Sequence, residues 1–107
     1  MAELFAALPT ADIAVGRAWW EERFFGREPD LIPNDIEACW RVAESCWLYV
    51  IEDPDRAGKG LATVLVPDFD AWVERLGDLV GQIDTMPGGI RTTHIRDPEG
   101  NTVQVGG

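Results

Sequence analysis

The chain has few of the residues on which common catalytic and binding sites depend. Its 107 residues include two cysteines and one histidine, and nine basic residues stand against nineteen acidic ones, for a formal net charge of −10. Two cysteines make no disulfide framework, and the strand registers that we predict do not place Cys39 opposite Cys46, so we expect free thiols. The negative charge repels phosphate backbones and anionic lipid surfaces, which argues against nucleic acid and membrane as partners.

Long hydrophobic runs and targeting signals are also missing. The longest apolar stretches, 46–51 and 61–67, are far shorter than the roughly 20 residues that span a bilayer. The first four residues contain neither a basic region nor a cleavage motif of a secretory signal. We therefore expect a cytoplasmic protein, and free thiols agree with that reducing compartment.

What the chain does contain is an internal repeat at an offset of 56 residues. Residues 4–13 and 60–69 both have the pattern of a short strand followed by the start of a helix, with Asp12 and Asp68 at the N-cap position. A unit of about 50 residues buries a sheet poorly by itself. The two copies are therefore expected to share one core within a single domain.

Helix and strand patterns occur in the same order in both copies. Apolar residues at helical spacing predict one helix from Ile13 to about Gly26 and a second from Phe69 to about Gly81. This order predicts an α+β fold of two tandem βαβββ modules, at about residues 3–53 and 61–106, joined by a linker at 54–60. The three strands after each helix are predicted at 29–33, 36–42, 46–52, 82–86, 90–96 and 102–105.

The last two strands are joined by the loop 97–101, with the sequence Asp-Pro-Glu-Gly-Asn. It predicts a type I turn closed by a glycine at positive φ, which pairs Ile95 with Val103 and turns both toward the helix. A two-residue register would instead place His94 beside Val103 and bury a titratable ring. In the favoured register the opposite face receives His94, Arg96, Thr102 and Gln104.

Four segments carry a resemblance to a known family: 9–13 at the first helix start, the pair Trp19-Trp20 before Glu21, 47–54 followed by 68–72, and above all 96–105. They resemble the glyoxalase / bleomycin-resistance / extradiol-dioxygenase superfamily, also called the vicinal oxygen chelate fold. The resemblance covers about residues 4–106. It implies modules whose mixed sheets curve around a cleft, with the helices outside and often a homodimer.

Catalytic members of that superfamily bind a divalent metal through one residue on the first strand and one on the last strand of each module. Carried onto this chain, those positions are Phe5, Leu48, Leu61 and Gln104. Three of them have no ligand atom, whereas a transition metal needs several N, O or S donors. The resemblance therefore implies a member without metal or cofactor, whose apolar cleft binds a small molecule as the antibiotic-sequestering members do. An aromatic or cationic compound is the expected ligand.

Two other functions remain open. A metal-dependent lyase, isomerase or dioxygenase could use displaced ligands such as Glu52 and His94 with Gln104, and a scaffold would bind no small ligand. Trp40 either stacks a planar ligand or packs in the core, and His94 either contacts the ligand or is structural. Trp20, Trp47, Tyr49 and Trp72 are predicted to be core residues. The candidate ligand-binding residues are Phe5, Ala38, Trp40, Leu48, Val50, Glu52, Leu61, Thr63, Thr92, His94, Arg96 and Gln104.

Overall fold

The structure is a computed structural model that describes residues 2–107. Its first half contains four strands and one long helical segment. The helix α1 continues directly as a π-helix. The elements are β1 (Leu4–Thr10), α1 (Ile13–Trp19), the π-helix (Trp20–Phe25), β2 (Leu31–Asn34), β3 (Glu37–Ala43) and β4 (Cys46–Glu52).

The second half repeats this order, so the predicted α+β fold of two βαβββ modules is confirmed. The helix α2 is followed by one turn of 3₁₀-helix at Gly77–Leu79. The elements are β5 (Leu61–Leu65), α2 (Phe69–Leu76), β6 (Asp84–Thr85), β7 (Arg91–Arg96) and β8 (Thr102–Gly106).

Each half forms its own four-stranded mixed sheet. The strand orders are β1-β4-β3-β2 and β5-β8-β7-β6, and in each sheet the first strand is parallel to the last while the other pairs are antiparallel. β1 and β5 are in contact where the two sheets meet. Side chains from both halves, including Leu8, Phe24, Leu76 and Val103, form one buried cluster. The two modules therefore share a core, as the size of each repeat requires.

The first helical segment has clear start and stop signals. The Asp12 side chain accepts hydrogen bonds from the backbone N–H groups of Ala14 and Val15, which caps α1. The π-helix ends at Gly26, whose φ of 66° is the left-handed conformation that favours glycine. Its six residues bury both Phe24 and Phe25. The predicted end near Gly26 is confirmed.

The second helix is about one turn shorter than the spacing predicts. Gly77 takes a φ of 57° directly after Leu76, and the chain then makes a 3₁₀ turn before Val80 becomes extended. The apolar residues that suggested a helix to Gly81 include Val80, which is packed against the core from the extended segment. Helical spacing over this last turn was therefore misleading because an extended residue fills the same space.

The loop between β7 and β8 folds around one carboxylate. Asp97 Oδ1 accepts from the backbone N–H groups of Glu99, Gly100 and Asn101 at 3.0, 2.8 and 2.9 Å. Its Oδ2 accepts from the Trp20 indole N–H at 3.0 Å and from the Asn101 amide at 2.8 Å. Gly100 has a φ of 110°, as the predicted turn requires. Trp20 belongs to the other module, so this loop attaches one module to the other. We call residues 97–101 the anchor turn.

Asn101 extends the same connection to β1 and to the linker. Its side-chain amide donates to the Pro9 carbonyl at 2.7 Å, and its oxygen accepts from the Gly60 N–H at 2.7 Å. Glu99 of the anchor turn accepts from the Thr10 hydroxyl and from the Ala11 N–H. The sequence analysis assigned this loop to turn chemistry alone, whereas the structure shows that it also joins the modules.

No helix among residues 2–107 is long and apolar enough to cross a membrane. Cys39 and Cys46 are free, as expected. Burial raises the pKa of the Cys39 thiol, and the negative charge of Glu37 raises it further. Cys39 is therefore a packed side chain rather than a reactive thiolate.

We predict that Asn101→Ala lowers the free energy of unfolding by about 2–4 kcal/mol, because the Gly60 N–H loses its partner and the buried Asp97 carboxylate and the Pro9 carbonyl each lose one donor. Asn34→Ala is the matched control, since Asn34 is exposed and bonds only to its near neighbours Ile36 and Glu37. It should cost less than about 1 kcal/mol. Urea unfolding of both variants measures the difference, and equal losses would contradict the role of the anchor turn.

Candidate functional site

Each sheet has one face packed against the helices and one face turned away from them, which we call the open face. In the second sheet Ile95 and Val103 are paired and fully buried in the core. His94 and Gln104 are paired on the open face, where His94 is exposed. This is the register that the anchor turn predicted from sequence, and it is confirmed.

The open face of the second sheet combines apolar and polar side chains. Leu61 on β5 is 77% exposed, and Leu65 on the same face is also exposed. Between them the Thr63 hydroxyl donates to Gln104 Oε1 at 3.1 Å, so that β5 and β8 are joined by their side chains. Five predicted site residues share this face: Leu61, Thr63, His94, Arg96 and Gln104. Thr92 follows the same alternation but is nearly buried.

The open face of the first sheet is aromatic. Phe5 stacks on Trp47 with ring centroids 5.2 Å apart and meets Tyr49 edge-on at 6.1 Å. The guanidinium of Arg41 lies 4.7 Å from the centre of the Trp47 ring. Such contacts hold the aromatic rings in one arrangement. Trp47 is buried, as predicted, but Trp47 and Tyr49 lie on the face away from the helices, so the predicted helix-facing orientation is wrong. Phe5 is the single predicted site residue of this sheet that lies on the open face.

Four predicted cleft residues belong to the core instead. Trp40 is fully buried, stacks on Phe25 at 4.4 Å and donates its indole N–H to the Arg27 carbonyl at 2.9 Å. Trp40 therefore packs in the core, which is one of the two roles that the sequence left open. The residues placed wrongly in the cleft are Ala38, Trp40, Leu48 and Val50, all of which pack under the helices.

The cause of this error is a change of one residue in the repeat offset. Ala6 and Ala62 occupy equivalent core positions on β1 and β5, an offset of 56. Ala6 pairs with Leu48, however, and Ala62 pairs with Val103, which makes the offset 55 on the last strand of each module. Because side chains alternate between faces along a strand, a shift of one residue exchanges the two faces.

The structure does not assemble the displaced metal ligands considered above. Glu52 accepts a hydrogen bond from the Ile13 N–H at 3.1 Å, at the start of α1, whereas His94 lies on the open face of the other sheet. Among residues 2–107, no three His, Cys, Asp or Glu side chains come together as a metal site would need. The polar groups near Gln104 are the Thr63 hydroxyl and the His94 imidazole, and one imidazole with neutral amide and hydroxyl oxygens does not fit a divalent transition metal.

A small cavity lies where β1 and β5 meet. Its volume is about 160 Å³, and its lining includes Ala6, Leu48 and Val64. Ligand pockets usually enclose roughly 300–1,000 Å³. This cavity is therefore too small for a drug-sized ligand, although the open face lies beside it.

Comparison with known proteins finds solved structures that have a similar architecture. No protein-family model and no curated protein sequence matches the chain. A glyoxalase / bleomycin resistance protein from Catenulispora acidiphila is 29% identical with a TM-score of 0.88, covering 99% of this chain and 97% of its own. The bleomycin-binding protein of Streptomyces verticillus, solved with copper(II)-bleomycin, is 22% identical with a TM-score of 0.75, covering 98% and 94%.

A lactoylglutathione lyase from Agrobacterium tumefaciens is also similar, at 22% identity and a TM-score of 0.68, covering 98% of this chain and 92% of its own. A binding protein and an enzyme therefore share this architecture. The neighbours confirm the resemblance to the glyoxalase / bleomycin-resistance superfamily. They do not choose between the two activities.

We predict that Leu48→Ala lowers the free energy of unfolding by about 2–5 kcal/mol, because Leu48 is 2% exposed and its loss leaves a core cavity. Phe5→Ala should cost roughly 0.5–1.5 kcal/mol, chiefly the aromatic contacts with Trp47 and Tyr49, because Phe5 is already 43% exposed. Chemical denaturation of the two variants measures their losses in the free energy of unfolding. Equal losses would show that the two strand faces are wrongly assigned.

Proposed function

We propose that this chain, which has the fold of the glyoxalase / bleomycin-resistance superfamily, is a small-molecule-binding protein that works without a catalytic metal. The ligand binds on the open face. The observation that carries this proposal is the combination of exposed apolar side chains, Phe5 and Leu61, with the polar groups of His94 and Gln104 on the uncovered side of the sheets. Apolar surface with a few polar groups is the usual character of a ligand site.

The aromatic cluster on the first sheet suggests the class of ligand. Phe5, which is 43% exposed, and the partly exposed Tyr49 present ring surface that can stack a planar group, while the buried Trp47 supports Phe5 from beneath. The net charge of −10 favours a cationic compound over an anionic one on this face. The bleomycin-binding protein among the similar structures supports an aromatic or cationic natural product as the ligand class for this chain.

A second copy of the chain completes the site in this proposal. Leu61 and Leu65 leave apolar surface exposed at the centre of the molecule, beside the contact of β1 with β5. Exposed apolar patches of this kind mark interaction surfaces. Two open faces turned toward each other would enclose a cleft between copies, and free Cys39 and Cys46 agree with a dimer in the cytoplasm.

The competing function is a metal-dependent lyase, for which the lactoylglutathione lyase neighbour is the basis. Only one imidazole, that of His94, accompanies the neutral amide and hydroxyl groups at Gln104, and Glu52 is separated from it, which argues against a metal site. Metal analysis of protein purified without chelator tests this. Stoichiometric zinc, nickel, iron or manganese that survives dialysis and is lost in His94→Ala would overturn the metal-free proposal.

We predict that a thermal-shift screen of aromatic and cationic natural products finds a stabilising ligand, since a compound at 100 times its Kd adds about 2.7 kcal/mol. Gln104→Leu should weaken a polar ligand by about 0.5–1.5 kcal/mol through one lost hydrogen bond while leaving the fold intact. Leu61→Glu should abolish binding, because it puts an unpaired carboxylate among apolar groups. A screen without any hit would favour the scaffold function.

We also predict a dimer at tens of micromolar protein in sedimentation, a range set by ordinary micromolar affinities. Leu61→Glu should convert it to a monomer. Val15→Glu is the matched control, because it introduces the same charge at an equally exposed apolar position on α1, on the helix side. Wild-type protein that sediments as a monomer, or dissociation by both variants, would argue against contact through the open face.

A further inference from the structure

A larger cavity, of about 400 Å³, lies on the helix side of the molecule. It is formed where the end of β3 and the segment after the π-helix approach α2. Three of the nine basic residues of the chain are at this cavity, although the protein as a whole is strongly acidic. The lining residues are Phe25, Arg27, Arg41, Val42, Asp68, Ala71, Trp72 and Arg75.

Arg75 is held in place by contacts that leave most of its donors free. One guanidinium N–H donates to the Phe24 carbonyl at the end of the π-helix, and the group lies 4.4 Å from the centre of the Trp72 ring. Among residues 2–107 no carboxylate forms an ion pair with Arg75, although Asp68 lines the same cavity. Its charge therefore lacks a direct counter-ion.

Arg27 is fixed on the other side of the cavity. It donates to the Arg41 carbonyl at 2.8 Å and to Asp30 at 2.7 Å. The guanidinium of Arg41 lies over Trp47 on the open face. Arg27 and Arg75 are therefore the two arginines whose guanidinium groups can contact a ligand in the cavity. Desolvation lowers the pKa of Arg75, and the nearby charge of Arg27 lowers it further, while the Asp68 carboxylate acts in the opposite direction.

The equivalent position in the other half is also a cavity, of about 570 Å³, but its lining includes the carboxylates of Glu22, Asp97 and Glu99. Trp40 and Ile95 occupy the same place in β3 and β7, so Val42 of the cavity corresponds to Asp97 of the anchor turn. In that half Asp97 and Glu99 lie against α1. The turn after β3 contributes no carboxylate to the cavity lining, so it supplies no counter-ion to Arg75, whereas Arg27 is paired with Asp30 and Asp68 also lines the cavity.

We propose that this cavity binds a small oxyanion, a carboxylate or a phosphate, between Arg27 and Arg75. The planar guanidinium groups supply paired N–H donors that match such an anion. Because hydrogen bonds and ring contacts already order both side chains, little conformational entropy is lost when the anion binds. The site is separate from the open face and does not depend on the function proposed there.

The test is a titration of ¹⁵N-labelled protein, followed by NMR through the indole N–H signal of Trp72, at constant ionic strength. Inorganic phosphate and sodium acetate are used in separate arms, with sodium chloride as the reference salt. We expect a saturable shift of that signal with phosphate, acetate or both, and the arm that saturates at lower concentration identifies the anion. A shift that chloride reproduces, or one that does not saturate, would overturn the proposal.

Substitutions of single arginines test where the anion binds. Arg75→Gln and Arg27→Gln should each weaken binding roughly tenfold or more, the value of a charge-assisted hydrogen bond. Arg56→Gln is the matched control, because Arg56 is an exposed linker arginine away from the cavity, and it should leave binding unchanged. Equal weakening in all three variants would indicate a general charge effect and contradict the site.

Ala71→Glu tests the same site without removing the contact of Arg75 with Phe24. Ala71 is exposed on α2 and lines the cavity, so a glutamate there should fold normally and place a carboxylate between the arginines. We expect it to abolish the response of Trp72 to added anion. An unchanged titration in folded Ala71→Glu protein would show that the anion does not bind between Arg27 and Arg75.

Discussion

The buried carboxylate of Asp97 is the interaction on which the arrangement of the two modules depends. A buried charge is costly unless every oxygen is hydrogen-bonded, and Asp97 meets this condition with three backbone N–H groups, the Asn101 amide and the Trp20 indole. The indole donor comes from the other module. One turn of five residues therefore closes its own hairpin and fixes the position of the first helical segment at the same time.

Close backbone packing follows from this connection. The linker passes so near the anchor turn that a Cβ atom at Gly58 would collide with the Glu99 carbonyl, and one at Gly60 would lie 2.7 Å from the Ala7 carbonyl. Gly58 also needs its φ of 80°. Glycine at these positions lets β5 start directly beside β1. The two sheets then present their helix faces to one common core and leave both open faces uncovered.

Function on this framework is decided by which side chains reach the uncovered surfaces. The open face offers aromatic rings around Trp47 and a polar pair at Thr63 and Gln104, which suits a planar ligand better than a metal. On the helix side, the half without an anchor turn keeps a cavity with Arg27 and Arg75. The corresponding hairpin segments 42–46 and 97–101 therefore differ in their carboxylates and not in their number of residues.

The sequence alone determined the order of elements, the Asp12 cap of the first helix, the anchor turn and the pairing of β7 with β8, because each follows from contacts between residues close in the chain. Asp68 occupies the N-cap position of α2 but makes no capping hydrogen bond. The sequence did not determine the faces of β3 and β4. Strand side chains alternate with a period of two, so the change of offset from 56 to 55 placed Trp40 and Leu48 in the core and Trp47 on the open face. Only tertiary structure decides that register, because it depends on β4 pairing with the distant strand β1.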